Sequence, residues 1–386
     1  MSEEAKVREV RECLPAALRC AYLNTGTAGP LPAPAIEAIK KAADRELIEG
    51  RIAVAAHEQS AAAQRETRER MARLIGADAD EIALTHHTTE GVNIGLLGID
   101  WQPGDEVVTS SIEHISVELP VRMLAEHRGV VVRTVDVGLG EGGAADAIGA
   151  AIGPRTKMVV VSHVSYATGA KLDVAGIAAA AHAAGALVLV DAAQSAGAIP
   201  VDVKALGVDI YAMPGQKWLC GPEDTGSLYV ARSAWDRLRP AVVGYMSVTW
   251  EDGERRLHPS ARRYEVGSRF APAIAGQLAA LGWLQDEVGI SWVHKRVERM
   301  TALARRMLEL APGVKVLTPT NCAGLLSFTV DGIDPEDLVK ALAAKAVQIR
   351  WVGRPRCARA SVHFFNDEAD LERPVASILE VQSARR

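Results

Sequence analysis

The sequence predicts an α/β fold followed by a smaller α+β unit, and three observations carry the prediction. Short β-branched runs alternate with Ala-rich stretches of helical periodicity up to about residue 230, the pattern of a sheet covered on both faces by helices. One run, LVLV before Asp191, is continuously apolar, as a strand buried on both faces must be. Beyond about residue 270 the pattern changes to long helices, then to short strands around one helix.

Taken in order, strands are expected near 81–85, 105–109, 130–135, 157–162, 186–190, 208–213 and 226–230. Helical periodicity fills 34–48, 58–74, 115–128 and 174–184. Residues 270–310 read as one or two long helices. After Pro312 come a strand at 323–330, a helix at 335–345 and strands at 347–351 and 360–364. The expected division is a large domain over 21–275 and a small one over 276–386, with residues 1–20 packing on the small domain.

Composition narrows the class. Hydrophobic residues make up 48% and charged residues 24% of 386 positions, as in a globular chain with a large core. Aromatics are only 4%, so Ala, Val, Leu and Ile must fill that core. The net charge of −5 is mild, and no Lys/Arg run marks a nucleic-acid or membrane surface. The N-terminal MSEEAKVREV is polar and unlike a signal peptide, and no apolar stretch is long enough to span a bilayer. Five cysteines at irregular spacing, without a CxxC, argue against disulfides or structural zinc. A cytoplasmic protein without a metal site is expected.

Four short segments carry chemistry. Asp191 ends a buried strand, where open α/β sheets bind ligands. A carboxylate there can keep a ring nitrogen protonated, or it can simply cap the next helix. Lys217 follows the next strand in YAMPGQKWLCGP. Gly215 and Gly221 around it permit tight backbone, and burial would bring its amine toward neutrality. In THHTTEGVN, Thr88 and Thr89 open a helix expected to start near Glu90. Its free amides suit a phosphate, or need only an ordinary threonine cap. His114 follows Glu113 after a strand and can stack on an aromatic ligand, move protons or serve structure alone.

The ordered set TTEG, EH, DAAQ and GQK resembles the class V aminotransferase family of fold-type I pyridoxal-phosphate (PLP) enzymes, from about Tyr22 to about residue 380. The resemblance implies a seven-stranded, mostly parallel sheet in the large domain, PLP as cofactor and a homodimer with shared sites. It implies Lys217 as the Schiff-base lysine and Asp191 at the pyridine nitrogen. Gln194 would face the phenolic oxygen, and His114 would stack on the ring. Thr88 and Thr89 would hold the phosphate, joined by Ser268 across the dimer. Two positions depart from the family pattern. Pro214 and Gln216 stand where relatives carry Ser or Thr and His. Pro offers no donor, whereas the Gln216 amide still does.

The substrate side lies in VQIRWVGRPRCARASVHFFND. The resemblance assigns the substrate carboxylate to Arg359, with Arg350 as a second substrate-side arginine; a guanidinium fork binds carboxylates bidentately. Only nine residues separate the two, too few for the mobile cysteine loop of a desulfurase, and Cys357 reads as a buried thiol. Tyr166 either covers the ring or contacts substrate, or it simply fills space. Asn24 either approaches substrate or closes an Asx-turn. The stretches LLGIDWQPGDEV, SHVSYATG, RRYEVGS and GLLSFTVDG are similar to the cystine C–S lyase branch. The implied reaction is α,β-elimination on L-cystine or a cysteine S-conjugate, giving persulfide or thiol, pyruvate and ammonia. The alternatives are a PLP-dependent epimerase, decarboxylase or aminotransferase, then a cysteine desulfurase, then a non-catalytic PLP-fold protein. A Rossmann or P-loop nucleotide enzyme is excluded by the absence of GxGxxG after the first strand and of GxxxxGK[ST].

Overall fold

A computed structural model describes residues 2–384. Seven strands form the large sheet: Ile82–Thr85, Glu106–Ser110, Val131–Val135, Thr156–Ser162, Leu187–Asp191, Ile210–Pro214 and Gly226–Val230. All seven lie where the β-branched runs predict them. Numbered by chain order within this sheet, they sit side by side as 1-7-6-5-4-2-3. The strand Gly226–Val230 is antiparallel to both its neighbours, and the other pairings are parallel. This is the fold-type I arrangement.

The central strands bury every residue, apart from Lys157, which explains their unbroken apolar runs. The edge strand Val131–Val135 is mostly exposed. One core cluster runs through this sheet and its covering helices. A second cluster joins Met300, Leu308, Leu326, Phe328, Leu342, Ala358 and Ala360 under the smaller sheet. That sheet is antiparallel, in the order Val314–Val316, Leu325–Val330, Arg356–Ser361, Arg350–Gly353.

The N-terminal helix Glu3–Glu12 lies against the C-terminal part of the chain. Glu3 pairs with Arg296 and Arg299, and Arg11 pairs with Asp370. The long-helix region resolves into Ala271–Gly282 and Ile290–Leu310, joined by the π-turn Trp283–Val288. Among the described residues no helix is long and apolar enough to cross a membrane.

Three local expectations shift. The helix after the first large-sheet strand begins at Thr88, not Glu90, because the His87 ring caps it by accepting from the Glu90 N–H at 3.1 Å. The last strand spans Arg356–Ser361, not 360–364. Its alternation was masked because Arg359 points away from the Ala358/Ala360 core face, a period-2 choice that puts a charge on a buried strand. A hairpin of Val248–Glu251 and Glu254–Leu257 also forms from mostly polar, exposed residues that give little hydrophobic signal.

Candidate active site

Parallel pairing brings the carboxyl ends of four strands to one edge of the sheet, and Ile82–Thr85 joins them because it and Ile210–Pro214 both run antiparallel to Gly226–Val230. From them project Thr85 toward the helix Thr88–Leu97, Ser110 toward Glu113 and His114, Ser162 toward Tyr166, Asp191 toward Gln194, and Pro214 toward Lys217. Ligands of open α/β sheets bind at this edge.

Lys217 sits half-buried in the tight turn after Ile210–Pro214. The turn is held from outside, since Gly29 N–H donates to the Gln216 carbonyl at 2.7 Å. A methyl group on Gly29 would lie 2.2 Å from the Lys217 carbonyl, so only glycine permits this approach. Gly215 and Gly221 likewise leave no room for a side chain against Gln277. Desolvation is the main cause that lowers the Lys217 amine to about 8. Asp191 works against that shift, and Arg359 and Arg350 reinforce it. Asp191 itself is buried and accepts from Ala193 N–H at 2.8 Å. Burial raises its carboxyl, opposed by the Lys217 charge.

Gln194 is fully enclosed. Its amide donates to the Gly26 carbonyl and accepts from the Trp218 indole, both at 2.9 Å. It thus ties the N-terminal turn to the lysine turn while one amide hydrogen stays uncommitted. His114 caps the helix Ile115–Arg128 through Nδ1, which accepts from Ser116 N–H. That bond leaves the ring proton on Nε2. Burial, with Lys217, Arg350 and Arg359 nearby, depresses the imidazole to about 4, so it is a neutral ring at physiological pH. Tyr166 meets it edge-on at 4.7 Å.

A phosphate-bearing aromatic ligand fits this set. The Thr88 hydroxyl and the Gln216 amide oxygen are buried without a hydrogen-bond partner, and a buried polar atom left unpaired is costly unless something fills the gap. The Gln216 amide can present either end by rotation. Thr89 is engaged with the Ser116 hydroxyl at 3.0 Å. Pro214 ends its strand and offers no donor. Ser268 is exposed, its N–H donating to the Tyr245 hydroxyl rather than to the residues gathered around Lys217.

Arg350 and Arg359 do not flank a loop. They are cross-strand partners in a hairpin closed by Arg354 and Pro355. The ladder, rather than a flexible segment, therefore sets their spacing. Arg359 is fully buried, donates to the Tyr166 carbonyl at 2.8 Å, and keeps its Nε unpartnered. Desolvation, then the charge of Arg350, lowers it to about 9. Among the described residues neither guanidinium has a carboxylate partner, and two such groups side by side can receive an anion. Thr27, which the motifs did not single out, contacts both arginines at 3.3 and 3.4 Å and donates to Asn24 Oδ1. Asn24 also accepts through its carbonyl from Thr27 N–H, closing its own turn. Glu113, quoted only as a neighbour of His114, proves to be buried with Ser110 and Ser162 on its carboxyl oxygens. Only burial distinguishes it, and no sequence signal reports that.

Comparison with known proteins agrees with this geometry. Residues 21–373 match the aminotransferase class-V family. A probable cysteine desulfurase of Methanothermobacter thermautotrophicus is 33% identical over 95% of this chain and 96% of its own length. A cysteine desulfurase of Haloferax volcanii is 30% identical over 83% of this chain and 79% of its own length. Among solved structures, a C-DES mutant with glycine covalently linked to its PLP cofactor superposes with a TM-score of 0.91. It is 31% identical, covering 95% of this chain and 98% of its own. The cystine C–S lyase C-DES in complex with its product cysteine persulfide gives a TM-score of 0.90 at the same identity and coverage. With a lysine turn and a strand-ending aspartate on one edge of the large sheet and a paired-arginine hairpin in the smaller sheet, the chain belongs to the aminotransferase class-V family of PLP-dependent enzymes.

Proposed function

We propose that this enzyme is a C–S lyase that cleaves L-cystine or a cysteine S-conjugate by α,β-elimination. Cystine and water would give cysteine persulfide, pyruvate and ammonia. The observation that carries the choice over a desulfurase is the closed hairpin between Arg350 and Arg359. Its one cysteine, Cys357, is fully buried against Ala167 and Val352. Burial also raises that thiol above its ordinary range. A thiol so enclosed does not reach a substrate sulfur.

PLP, when bound, supplies the electron sink for bonds broken at Cα. Lys217 would hold it covalently, Asp191 its ring nitrogen, Gln194 its phenolic oxygen and His114 its ring face. Thr88, Thr89 and Gln216 would hold its phosphate. Ser268 would reach the phosphate of a second copy, and the exposed Val242, Tyr245 and Phe270 near it suit a homodimer. Arg359 and Arg350 receive the substrate carboxylates and fix Cα beside Lys217. Tyr166 covers that space from the His114 side. The Lys217 amine, brought down to about 8 by burial, takes the proton from Cα in its neutral form. Departure of the β-sulfur then completes elimination, and the enclosed site delays entry of water until the sulfur has left.

The test is product analysis with L-cystine and with L-cysteine. Pyruvate and persulfide from cystine, unchanged within twofold in Cys357→Ala, support elimination. Alanine as product, with sulfur release abolished by Cys357→Ala, would show a desulfurase instead.

A further inference from the structure

Glu113 is a carboxyl group in a place that structure alone does not require. It is buried at the sheet edge, its oxygens receiving the Ser110 hydroxyl at 2.5 Å and the Ser162 hydroxyl at 2.6 Å. Ser162 ends its strand as the register partner of Asp191 on the next. The strand that ends in Ser162 therefore lies between the two buried carboxyl groups, its hydroxyl on Glu113 and its backbone in register with Asp191. No ion pair to Glu113 forms among the described residues, and the charge acting on it is that of Asp191, of like sign. A buried acid without a cation is costly, and a glutamine would satisfy the same serines.

The groups around it are few. Asp191 acts on it from two strands away, across Ser162, and Lys217 acts beyond Asp191. His114 adjoins it on its own turn and is neutral. His163, after Ser162, is turned to the Tyr211 hydroxyl at 2.8 Å.

We propose that Glu113 is a positioning residue that acts through Asp191: its negative charge strengthens the hold of Asp191 on a proton at the cofactor's ring nitrogen, and its protonation relaxes that hold. The inference rests on the reading above that Asp191 faces that nitrogen. Burial opposed by the two serine hydroxyls sets the Glu113 carboxyl at about 7, so it changes charge in the neutral range. Ionised, it adds a second negative charge on the far side of Ser162 from Asp191, in a buried setting where water screens such charges little. The ring would then be most firmly protonated above neutrality and less so below it.

The experiment loads the full-length enzyme with PLP labelled with 15N in the ring and follows that signal from pH 5.5 to 9. Wild type is expected to show an inflection in the neutral range. Glu113→Gln, which keeps size and hydrogen bonding, should abolish it at unchanged PLP occupancy. Ser162→Ala removes a donor to the carboxylate and should move the inflection up by about one pH unit; it decides the matter if Glu113→Gln fails to fold. An inflection unmoved in these variants, or none in wild type, overturns the inference. Failure of wild type to bind PLP would instead refute the functional reading beneath it.

Discussion

Lys217 offers the sharpest quantitative test. An amine at about 8, against an ordinary value near 10.4, is roughly 300-fold richer in its neutral form at pH 7. Only that form attacks an aldehyde. The rate at which apoprotein captures PLP should therefore rise with pH and level off above about 8. The neighbours give opposite signs. Asp191 stabilises the ammonium, so Asp191→Asn should move the midpoint to lower pH. Arg350 destabilises it, so Arg350→Gln should move the midpoint to higher pH. Capture is measured by borohydride trapping and intact mass at a series of pH values. A wild-type rate still climbing through pH 10, or shifts of the same sign in both variants, would refute the account of burial and charge given for this turn.

Three further outcomes follow from the geometry. Arg359→Met removes the buried fork and should lower kcat/KM for cystine by roughly 30- to 150-fold, the equivalent of about 2–3 kcal/mol for charge-assisted bonds; a loss under fivefold would move the carboxylate elsewhere. Gly29→Ala forces a methyl into the Lys217 carbonyl and should weaken PLP retention in dialysis while leaving the far-ultraviolet spectrum intact; undiminished retention would mean the turn is not held there. Glu265→Ala strands buried Arg68 and the Leu84 N–H and should cost about 3–5 kcal/mol; a denaturant midpoint close to wild type would show that the first large-sheet strand does not depend on this clamp.

The fold was legible because the central strands are buried on both faces and so read as uninterrupted Val, Leu and Ile runs. Asp191 was legible because it ends such a run, and Lys217 because it follows the next strand between Gly215 and Gly221. The arginine hairpin was not, since a strand that turns Arg359 inward breaks the apolar alternation used to find strands. Thr27 and Glu113 were invisible for a different reason. A threonine in a turn and a glutamate after a strand are ordinary residues, and only contacts made across the fold, to Arg350 and Arg359 in one case and Ser162 in the other, give them roles. Similarly, Gln194 carried a cofactor expectation from its motif. Its bonds to Gly26 and Trp218 add a mechanical duty that no local pattern could announce.

The hairpin has a bearing on how this scaffold can diversify. Arg350 and Arg359 are fixed by the strand ladder, whereas Arg354 and Pro355 at its tip touch neither guanidinium and lie toward solvent. Residues inserted at that tip would lengthen the chain without moving the anion receptor. A segment grown there could bear a new nucleophile or a docking sequence. Such a segment would bring new side chains near the two arginines while the strand ladder keeps both guanidinium groups in place.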